Sequence, residues 1–450
     1  MAAEPALLAY LGLGSNLGRR EAYLAAAAAR LAAAGARVLR ASPVYETRPQ
    51  DVPAPQPDFL NAVLEVEWPG APEELLQRAL AVEELYGRVR PAGADGAARP
   101  EPAPRTLDID LLLCAVPGDG AAGGQLLRRE EPALTLPHPR LGARAFALQP
   151  LLDLLPAETA AAWLGAGAAA RAAQLAAEQG VRPWGPFPQW EPDVYTPESL
   201  LPPQRLRHVG TAVRCLETTA STNDVAREWA AAGAPAGAVV VAEEQTRGRG
   251  RRGRGWHTPP GAALALSVVL RPAWPPERLT LLPLAAGVAV ARAAARAAAV
   301  RCGLKWPNDV LVQGRKLAGV LVEVLGPDPA AAGVIVGIGV NLNLPRHRFP
   351  PDVRARATSL LHESGGPVAR PAFARSLLAE LDALLDDLDR RPEAVAGAWR
   401  ALSVTLGREV EIVHGAETVR GRAVDIDAAG ALIVDTGAGG RRLLAGEITG

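Results

Sequence analysis

A proline-rich stretch between Pro183 and Pro203 divides the sequence into two parts. It has little hydrophobic periodicity, and its prolines favour a semi-rigid linker over a helix or a strand. On both sides of it, apolar segments with strand-like and helix-like periods alternate, which indicates mixed α/β folding units. Because a chain of 450 residues is too long for one ordinary core, the sequence predicts roughly two to four domains.

The periodicity predicts an α/β or α+β sandwich before the linker and a larger mixed unit after it. In the first part, strands are expected over 8–16, 38–45, 59–66 and 106–114, and helices to about residue 34 and over 73–87. In the second, strands are expected over 239–243, 263–270, 304–306, 310–312 and 333–340, and helices over 224–232, 281–300 and 373–388. Short alternating strands over 410–413, 419–426 and 431–435 indicate a small terminal β-barrel.

The composition excludes several classes of protein. Acidic and basic side chains balance at 48 each, so no net charge attracts nucleic acid or an anionic membrane. The three cysteines are far apart and include no C-x-x-C motif, which argues against a disulfide framework or a zinc site and fits a reducing cytoplasm. No export signal is visible, and Arg292 and Arg296 interrupt the most apolar tract, so no membrane span is expected.

Lysine and asparagine are scarce in this chain. Only Lys305 and Lys316 supply ammonium groups, and only six asparagines are present. Arginine replaces lysine wherever a generic surface cation suffices, so the two remaining lysines are candidates for positions that need a compact point charge. Chance survival of both is the competing explanation.

The segment 242–256 is rich in arginine and glycine. Its glycines allow the backbone to approach a ligand closely, and its arginines supply fixed positive charge for carboxylate or phosphate groups. Taken alone, this segment could equally be an RNA-binding stretch or a solvated loop.

Four further motifs lie in a fixed order along the chain, one before this Arg/Gly loop and three after it. They are Ser221-Thr-Asn223, Lys305-Trp-Pro-Asn-Asp309, the stretch from Gly314 to Glu323, and Gly337-Ile-Gly-Val-Asn341. Together the five motifs, over roughly residues 206–450, resemble the biotin protein ligases. The resemblance implies that biotin reacts with MgATP to give biotinyl-5′-adenylate and that a lysine of a biotin carboxyl carrier protein then takes the biotin.

The ligase resemblance also implies a role for individual residues. The biotin contacts would be Ser221, Thr222, Asn223, Gln245, Arg249, Gly250, Arg251 and Lys316. Arg249, Arg251 and Lys316 would grip the carboxylate and the α-phosphate during catalysis. The adenylate would be bound by Trp256, Asn308, Asn341 and Lys305. Asp309 would also lie in the site. Core packing is an equal alternative for Trp306. The segment before the ligase contains no helix-turn-helix resemblance, so no DNA binding is expected.

In the first part, Asp108 and Asp110 alternate with apolar residues along a predicted strand. The strand period of two puts both carboxylates on one face, where they repel each other unless a cation lies between them. Oxygen ligands of this kind suit Mg²⁺ that carries nucleotide phosphates. A solvated strand face is the alternative.

Six surrounding motifs extend this pattern over about residues 6–160. They are Gly14-Ser-Asn16, Tyr45-Glu-Thr47, Pro57 to Asn61, Glu83, Gly87-Arg-Val-Arg90 and Pro137-His-Pro-Arg140. The region resembles 6-hydroxymethyl-7,8-dihydropterin pyrophosphokinase, an enzyme of folate biosynthesis that transfers pyrophosphate from MgATP. The resemblance implies pterin contacts at Thr47, Phe59, Asn61 and Phe146. It further implies ATP binding by Glu83, Arg88, Arg90, Arg105, His138 and Arg144, with Asp108 and Asp110 as magnesium ligands and Arg88 and Arg105 as catalytic residues.

The loop over 91–104 departs from this family, because it is longer and lacks the usual tryptophan. The departure leaves loop closure over the substrates in question, so an inactive kinase-like scaffold is an alternative. The two resemblances imply an α+β multidomain chain: a ferredoxin-like α/β sandwich over 1–160, an Ala/Pro-rich linker over 161–205, a class II synthetase-like mixed-sheet ligase domain over 206–400, and an SH3-like β-barrel over 401–450.

Overall fold

A computed structural model describes residues 6–50, 55–88, 103–118, 124–414 and 417–448. The chain separates into two compact units, the first mainly within Met1–Asp193 and the second within Val194–Ser364 and Val368–Gly450. Each unit mixes helices with sheets, so the chain is a mixed α/β multidomain protein, as predicted.

The first unit contains nine strands and five helices among its described residues. The strands are β1 Leu7–Ser15, β2 Arg37–Ala41, β3 Val44–Thr47, β4 Phe59–Trp68, β5 Asp108–Val116, β6 Gln125–Leu126, β7 Arg129–Glu130, β8 Thr135–Leu136 and β9 Arg182–Gly185. The helices are α1 Arg20–Ala33, α2 Pro72–Leu85, α3 Ala145–Leu152, α4 Ala157–Leu164 and α5 Ala168–Gln179. Seven strands form one sheet in the order β6-β5-β1-β4-β3-β9, with β2 also paired to β4.

The predicted strand over 38–45 is interrupted at Ser42 and Pro43. Proline has no N–H group to donate to a ladder, so a strand breaks or ends at it. The Ser42 hydroxyl accepts a bond from the Val63 amide at 2.9 Å, so a side-chain oxygen serves as the acceptor for this amide at the break. The result is two short strands, β2 and β3, that both pair with β4.

The segment predicted as a linker contains regular structure. Helix α5 packs against α3, and β9 pairs with β3 through Val44 and Gly185. Alanine favours helix strongly, which explains why this Ala-rich segment forms helices. Further along, the side chains of Tyr195 and Leu200 are buried in the core of the second unit. The structure thus assigns most of this segment to one unit or the other.

The second unit contains a seven-stranded sheet in the order β10-β11-β12-β16-β15-β14-β13 and a five-stranded sheet in the order β20-β19-β18-β17-β21. The strands of the large sheet are β10 Val213–Thr219, β11 Val239–Gln245, β12 Ala263–Leu270, β13 Gly303–Lys305, β14 Asp309–Val312, β15 Arg315–Val324 and β16 Val334–Asn341. The terminal strands are β17 Glu409–His414, β18 Glu417–Ile426, β19 Leu432–Asp435, β20 Gly440–Leu443 and β21 Glu447–Ile448. The helices are α6 Pro197–Leu200, α7 Thr222–Ala231, α8 Pro276–Leu279, α9 Leu282–Ala298, α10 Pro329–Ala332, α11 Leu360–Ser364, α12 Arg370–Arg390 and α13 Pro392–Leu402.

One apolar helical stretch, Pro276–Ala298, reaches a mean hydropathy of 1.4 and is long enough to cross a membrane by length and composition alone. The share of its most apolar window that is buried inside the protein is 72%. Helix α9 packs against α12, α13 and the large sheet, so this stretch is a core helix.

Candidate active sites

In the first unit, the strand register brings the predicted pterin and magnesium residues to opposite sides of one glycine. Gly14 of β1 lies opposite Asn61 of β4 and opposite Asp108 of β5. A Cβ atom at this position would lie 3.0 Å from Oδ1 of Asn61 and 3.8 Å from Cβ of Asp108. The absence of a side chain at Gly14 therefore lets the two groups lie close together.

The predicted pterin residues on β3 and β4 are in contact with each other. The Nδ2 atom of Asn61 donates to Oγ1 of Thr47 at 2.8 Å, and both side chains are buried. Phe59 lies opposite Thr47 in the ladder. The guanidinium of Arg105 lies 5.4 Å from the centre of the Phe59 ring, and this contact connects the ring to the acidic pair.

The two aspartates have different partners. Asp108 forms ion pairs with Arg88 and with Arg105, the latter at 3.1 Å, whereas Asp110 lies 3.8 Å from Arg144. Burial alone would raise the pKa of Asp108, but Arg105 and Arg88 outweigh it and hold that pKa below its usual range. Burial and the neighbouring Asp108 carboxylate raise the pKa of Asp110 to about 6.

This pair fits a magnesium ion bound together with a nucleotide. Among the residues that the structure describes, no group of three His, Cys, Asp or Glu side chains could hold a metal by itself. Mg²⁺ is usually held by one or two carboxylates, with phosphate and water oxygens completing its shell. Burial is the larger cause of the raised pKa of Asp110, and the repulsion from Asp108 that adds to it is what a cation between the carboxylates would relieve.

Two predicted ATP residues have roles that the sequence did not reveal. Glu83 is fully buried and accepts hydrogen bonds from the amide of Ile109 at 2.7 Å and from Arg88 at 2.5 Å. Its carboxylate therefore holds the backbone of β5 and orients the guanidinium of Arg88. Burial, reinforced by Arg144 and Arg140, lowers the pKa of His138 to about 4, so this imidazole is neutral at pH 7. Arg90 and most of the loop over 91–104 lie outside the described residues.

In the second unit, all the residues predicted for the ligase site line one cleft of about 940 Å³. They are Ser221, Thr222, Asn223, Gln245, Arg249, Gly250, Arg251, Trp256, Lys305, Asn308, Lys316 and Asn341. The cleft lies over the large sheet, between the start of α7, the Arg/Gly loop and the strands β14 to β16. Residues far apart in the sequence thus meet here, while their roles toward a ligand stay predictions.

One end of the cleft is built from neutral hydrogen-bonding groups. The amide and hydroxyl of Thr222 contact Oε1 of Gln245 at 2.8 and 3.1 Å. Oγ of Ser267 lies 2.8 Å from Oγ1 of Thr222 and 2.7 Å from Oδ1 of Asn223. The two hydroxyl groups have two protons for three short contacts. Oε1 of Gln245 accepts from the amide and hydroxyl of Thr222, and the Thr222 hydroxyl lies within reach of Ser267, so this end of the cleft presents neutral donors and acceptors to a ligand.

The predicted anion-binding groups lie along the Arg/Gly loop. Arg249 forms an ion pair with Asp224 at 2.5 Å. Arg251 donates to Oδ1 of Asn308 at 3.2 Å, and the Nδ2 atom of Asn308 donates to the carbonyl of Val320 at 2.8 Å. These contacts fix two guanidinium groups in the middle of the loop.

Lys316, Asp309 and Trp256 form a cluster at the other end of the cleft. The Nζ atom of Lys316 lies 2.6 Å from Oδ1 of Asp309 and 5.8 Å from the centre of the Trp256 ring. The indole N–H group of Trp256 is buried and has no hydrogen-bond partner within the described structure. The cluster therefore offers a point charge, a flat apolar surface and an unused donor.

The remaining lysine and two other motif residues have protein partners. Lys305 donates to the carbonyl of Ile448 in β21 at 3.2 Å. Asn341 donates to the carbonyl of Thr358 at 3.0 Å, which connects β16 to the segment bordering the cleft. Trp306 is only 2% exposed and donates to the carbonyl of Gly430, so it packs in the core at the border of the cleft.

The terminal sheet also reaches the Arg/Gly loop. Glu447 forms ion pairs with Arg252, at 3.1 Å, and with Arg254. Sequence reasoning assigned no role to Glu447, Ser267 or Glu323, although Glu323 is the last residue of the motif from Gly314 to Glu323. Glu447 and Ser267 belong to strands whose pattern indicates ordinary sheet, and no local signal distinguishes them.

Comparison with known proteins finds family matches in both halves of the chain. The family described as 7,8-dihydro-6-hydroxymethylpterin-pyrophosphokinase matches residues 10–156. The biotin/lipoate A/B protein ligase family matches residues 215–341, and the biotin protein ligase C-terminal domain matches residues 405–449. The first two matches contain the kinase and ligase motifs, and the third covers the terminal sheet.

Individual relatives cover the two halves separately. The biotin–[acetyl-CoA-carboxylase] ligase of Mycobacterium tuberculosis is 41% identical over 49% of this chain and 81% of its own length. The 2-amino-4-hydroxy-6-hydroxymethyldihydropteridine pyrophosphokinase of Porphyromonas gingivalis is 36% identical over 33% of this chain and 91% of its own length. The biotin protein ligase of Aquifex aeolicus, solved with biotin and ATP, is 30% identical over 53% of this chain and 98% of its own, with a TM-score of 0.47. The chain therefore belongs to two enzyme families, the 6-hydroxymethyl-7,8-dihydropterin pyrophosphokinases over its first half and the biotin protein ligases over its second.

Proposed function

We propose that this chain is a bifunctional enzyme that biotinylates a carrier-protein lysine and pyrophosphorylates 6-hydroxymethyl-7,8-dihydropterin, each at the expense of ATP. The observation that supports the ligase activity best is the single cleft lined by the ligase-site residues. For the kinase, it is the juxtaposition of Asn61 and Asp108 across Gly14.

In the ligase half, the biotin carboxylate attacks the α-phosphorus of ATP and pyrophosphate leaves. No protein nucleophile is required, so the residues act by holding two anions in line and by stabilising the charge that develops on the phosphoryl oxygens. Thr222 and Gln245 bind the ureido ring, while Arg249, Arg251 and Lys316 hold the carboxylate and α-phosphate. The lysine of the carrier then attacks the acyl carbon, and AMP leaves.

In the kinase half, the pterin hydroxyl attacks the β-phosphorus of ATP and AMP leaves. Thr47 and Asn61 hold the pterin edge, and Phe59 and Phe146 stack against its ring. Arg88, Arg105, Arg144 and the neutral His138 contact the phosphates. Asp108 and Asp110 would hold Mg²⁺, which when bound neutralises phosphate charge.

The finer architecture follows the same proposal. We assign a ferredoxin-like sandwich to the first unit, a class II synthetase-like sheet to the ligase core and an SH3-like barrel to the terminal sheet. Cys114, Cys215 and Cys302 are all free, which supports a reducing, cytoplasmic location. The protein partner is a biotin carboxyl carrier protein, and we propose binding to neither DNA nor membrane.

Two alternatives make different predictions. If the first unit is an inactive scaffold, the chain will release no AMP above background when it is given the pterin and MgATP. If the Arg/Gly loop binds nucleic acid, the chain will be retained on RNA in a strongly salt-dependent way. The ion pairs of Arg252 and Arg254 with Glu447 favour the ligase, because they occupy cations that RNA would need.

The decisive experiment assays the whole chain with MgATP and either the pterin or biotin plus an apo-carrier domain. Pyrophosphate should appear only with biotin, because the α-phosphorus is attacked there. With the pterin the chain should release AMP and no pyrophosphate. Failure of either product to form would reject the corresponding activity.

A further inference from the structure

Asn223, at the start of α7, has protein partners at both ends of its amide. Its Oδ1 atom lies 2.7 Å from the hydroxyl of Ser267, and its Nδ2 atom donates to Oε2 of Glu323 at 2.6 Å. A Cβ atom on Gly337 would lie 2.2 Å from Oδ1 of Asn223. The amide is therefore held in a slot over β12, β15 and β16, with both polar ends bound by protein.

The carboxylate of Glu323 reaches further than this one bond. Its Oε1 atom lies 2.8 Å from Arg227 and 4.0 Å from Arg249. Asp224 contacts the same two arginines, at 2.7 and 2.5 Å. Glu323 thereby connects three parts of the site: the strand β15, the first turns of α7 and the Arg/Gly loop.

We propose that Glu323 is a positioning residue for the biotin end of the cleft, and that it acts through Asn223, which anchors α7 instead of contacting the ureido ring. This inference rests on the proposed ligase function. By fixing Asn223, Glu323 fixes the adjoining Ser221 and Thr222. Arg249, which we propose holds the carboxylate and α-phosphate, has its closer partner in Asp224 at 2.5 Å, so the α-phosphate contact does not depend on Glu323.

A carboxylate suits this position because all its neighbours are donors. Glutamine at 323 could accept from Asn223 only by turning its NH₂ group toward Arg227, which is also a donor. Loss of one charge-assisted hydrogen bond in a partly buried site weakens binding by about 10- to 100-fold. The ATP site should be spared.

The test measures biotin affinity of the full-length chain by titration calorimetry without ATP. The E323Q substitution should weaken biotin binding by about 10- to 100-fold, while the KM for ATP in pyrophosphate release changes less than about twofold. The matched control is E380Q: Glu380 is likewise a carboxylate close to two arginines, Arg292 and Arg296, and is buried outside the cleft. It should bind biotin normally.

A compensating pair of substitutions separates positioning from general damage. N223D alone would face two carboxylates toward each other and should weaken biotin binding more than E323Q does. In the N223D/E323Q double variant the donor and acceptor are exchanged, so affinity should recover at least about tenfold over N223D. Thermal unfolding checks that each variant is folded. If E323Q is not folded, the double variant tests the positioning role instead.

The outcomes distinguish the positioning role of Glu323 from the proposed ligase function on which it rests. A folded E323Q variant with wild-type biotin affinity, equal losses for biotin and ATP, or no recovery in the double variant would overturn the positioning role. An unmodified chain that binds no biotin would instead reject the ligase proposal.

Discussion

Gly339 of β16 lies directly beneath the indole ring of Trp256. A Cβ atom on Gly339 would lie 2.5 Å from both Cε2 and Nε1 of that ring, closer than any real contact allows. Strand β16 is held in its ladder by β12 and β15, so the ring is the part that must move. The position of the Trp256 ring, which we propose contacts the nucleotide, therefore depends on the absence of a side chain at Gly339.

The G339A substitution should consequently weaken ATP binding in the ligase reaction. We expect the KM for ATP to rise at least about tenfold, since stacking on an aromatic ring contributes roughly 1–3 kcal/mol for a nucleic-acid base. G397A is the matched control, because no atom lies within 4 Å of its added Cβ. Steady-state pyrophosphate release measures both, and an unchanged KM in G339A would contradict the role of Trp256.

Lys316 is expected to be irreplaceable by arginine. Its Nζ atom fits 2.6 Å from Asp309 and against the face of Trp256, a space matched to a compact ammonium and not to a planar guanidinium. K316R should lower adenylate formation at least about 100-fold, the size reported for loss of one group that stabilises transition-state charge. Pterin-dependent AMP release by the same sample is an internal control, and near-normal adenylate formation would show that the role is misassigned.

The motif residues were predictable because their chemistry is unusual for this chain. Lys305 and Lys316 are its only lysines, and both line the cleft. The paired Asp108 and Asp110 were likewise visible from strand periodicity. What these residues contact was not predictable, because contacts across a sheet depend on register between distant strands.

The contacts of Ser267 could not be predicted from the sequence. It is the one hydroxyl in a strand of otherwise apolar residues, Ala263–Leu270, and is fully buried, so the local pattern indicates only a core strand. Its partners Thr222 and Asn223 lie more than 40 positions earlier in the chain. Only the pairing of Ser267 with Gly337 in the sheet explains why a polar group belongs there.

The acidic pair of the kinase half predicts a pH dependence with a definite sign. The pKa of Asp110 is raised to about 6 in the folded protein, so between about pH 4 and pH 6 the folded state binds a proton that the unfolded state does not. Without divalent cations, the contribution of Asp110 to the stability of the first unit should therefore fall as the pH rises through this window. The lowered pKa of His138 acts in the opposite direction over much of the same range, so the contribution of Asp110 is read from the difference between the unmodified chain and D110N, which lacks the charge.

Scanning calorimetry of both proteins from pH 4 to pH 8 would measure this difference. At pH 8 the variant should unfold at a higher temperature than the unmodified chain, and the two should converge toward pH 4. Mg²⁺ with an ATP analogue should stabilise the first unit in the unmodified chain but not in D110N, and more at pH 8 than at pH 5, whereas the second unit should respond alike in both. Parallel curves over the whole range would contradict a raised pKa at Asp110.

The start of the ligase domain differs between the sequence-based prediction and the structure, and the difference can be tested with fragments. Sequence reasoning begins the domain at residue 206, but Tyr195 and Leu200 are 4% and 0% exposed in its core. The guanidinium of the fully buried Arg370 lies 4.7 Å from the centre of the Tyr195 ring. Arg375 also donates to the carbonyl of Ser199.

A fragment over 206–450 should consequently be less stable than one over 194–450. Removing a buried aromatic side chain costs about 3–5 kcal/mol in comparable cores, and loss of the Tyr195 ring also exposes the charge of Arg370. Urea denaturation of the two fragments measures the difference, and a third fragment over 186–450 serves as the control, which should match the one from 194. Equal midpoints for all three would show that the segment before residue 206 is a linker after all, because its burial would then contribute nothing to the free energy of unfolding.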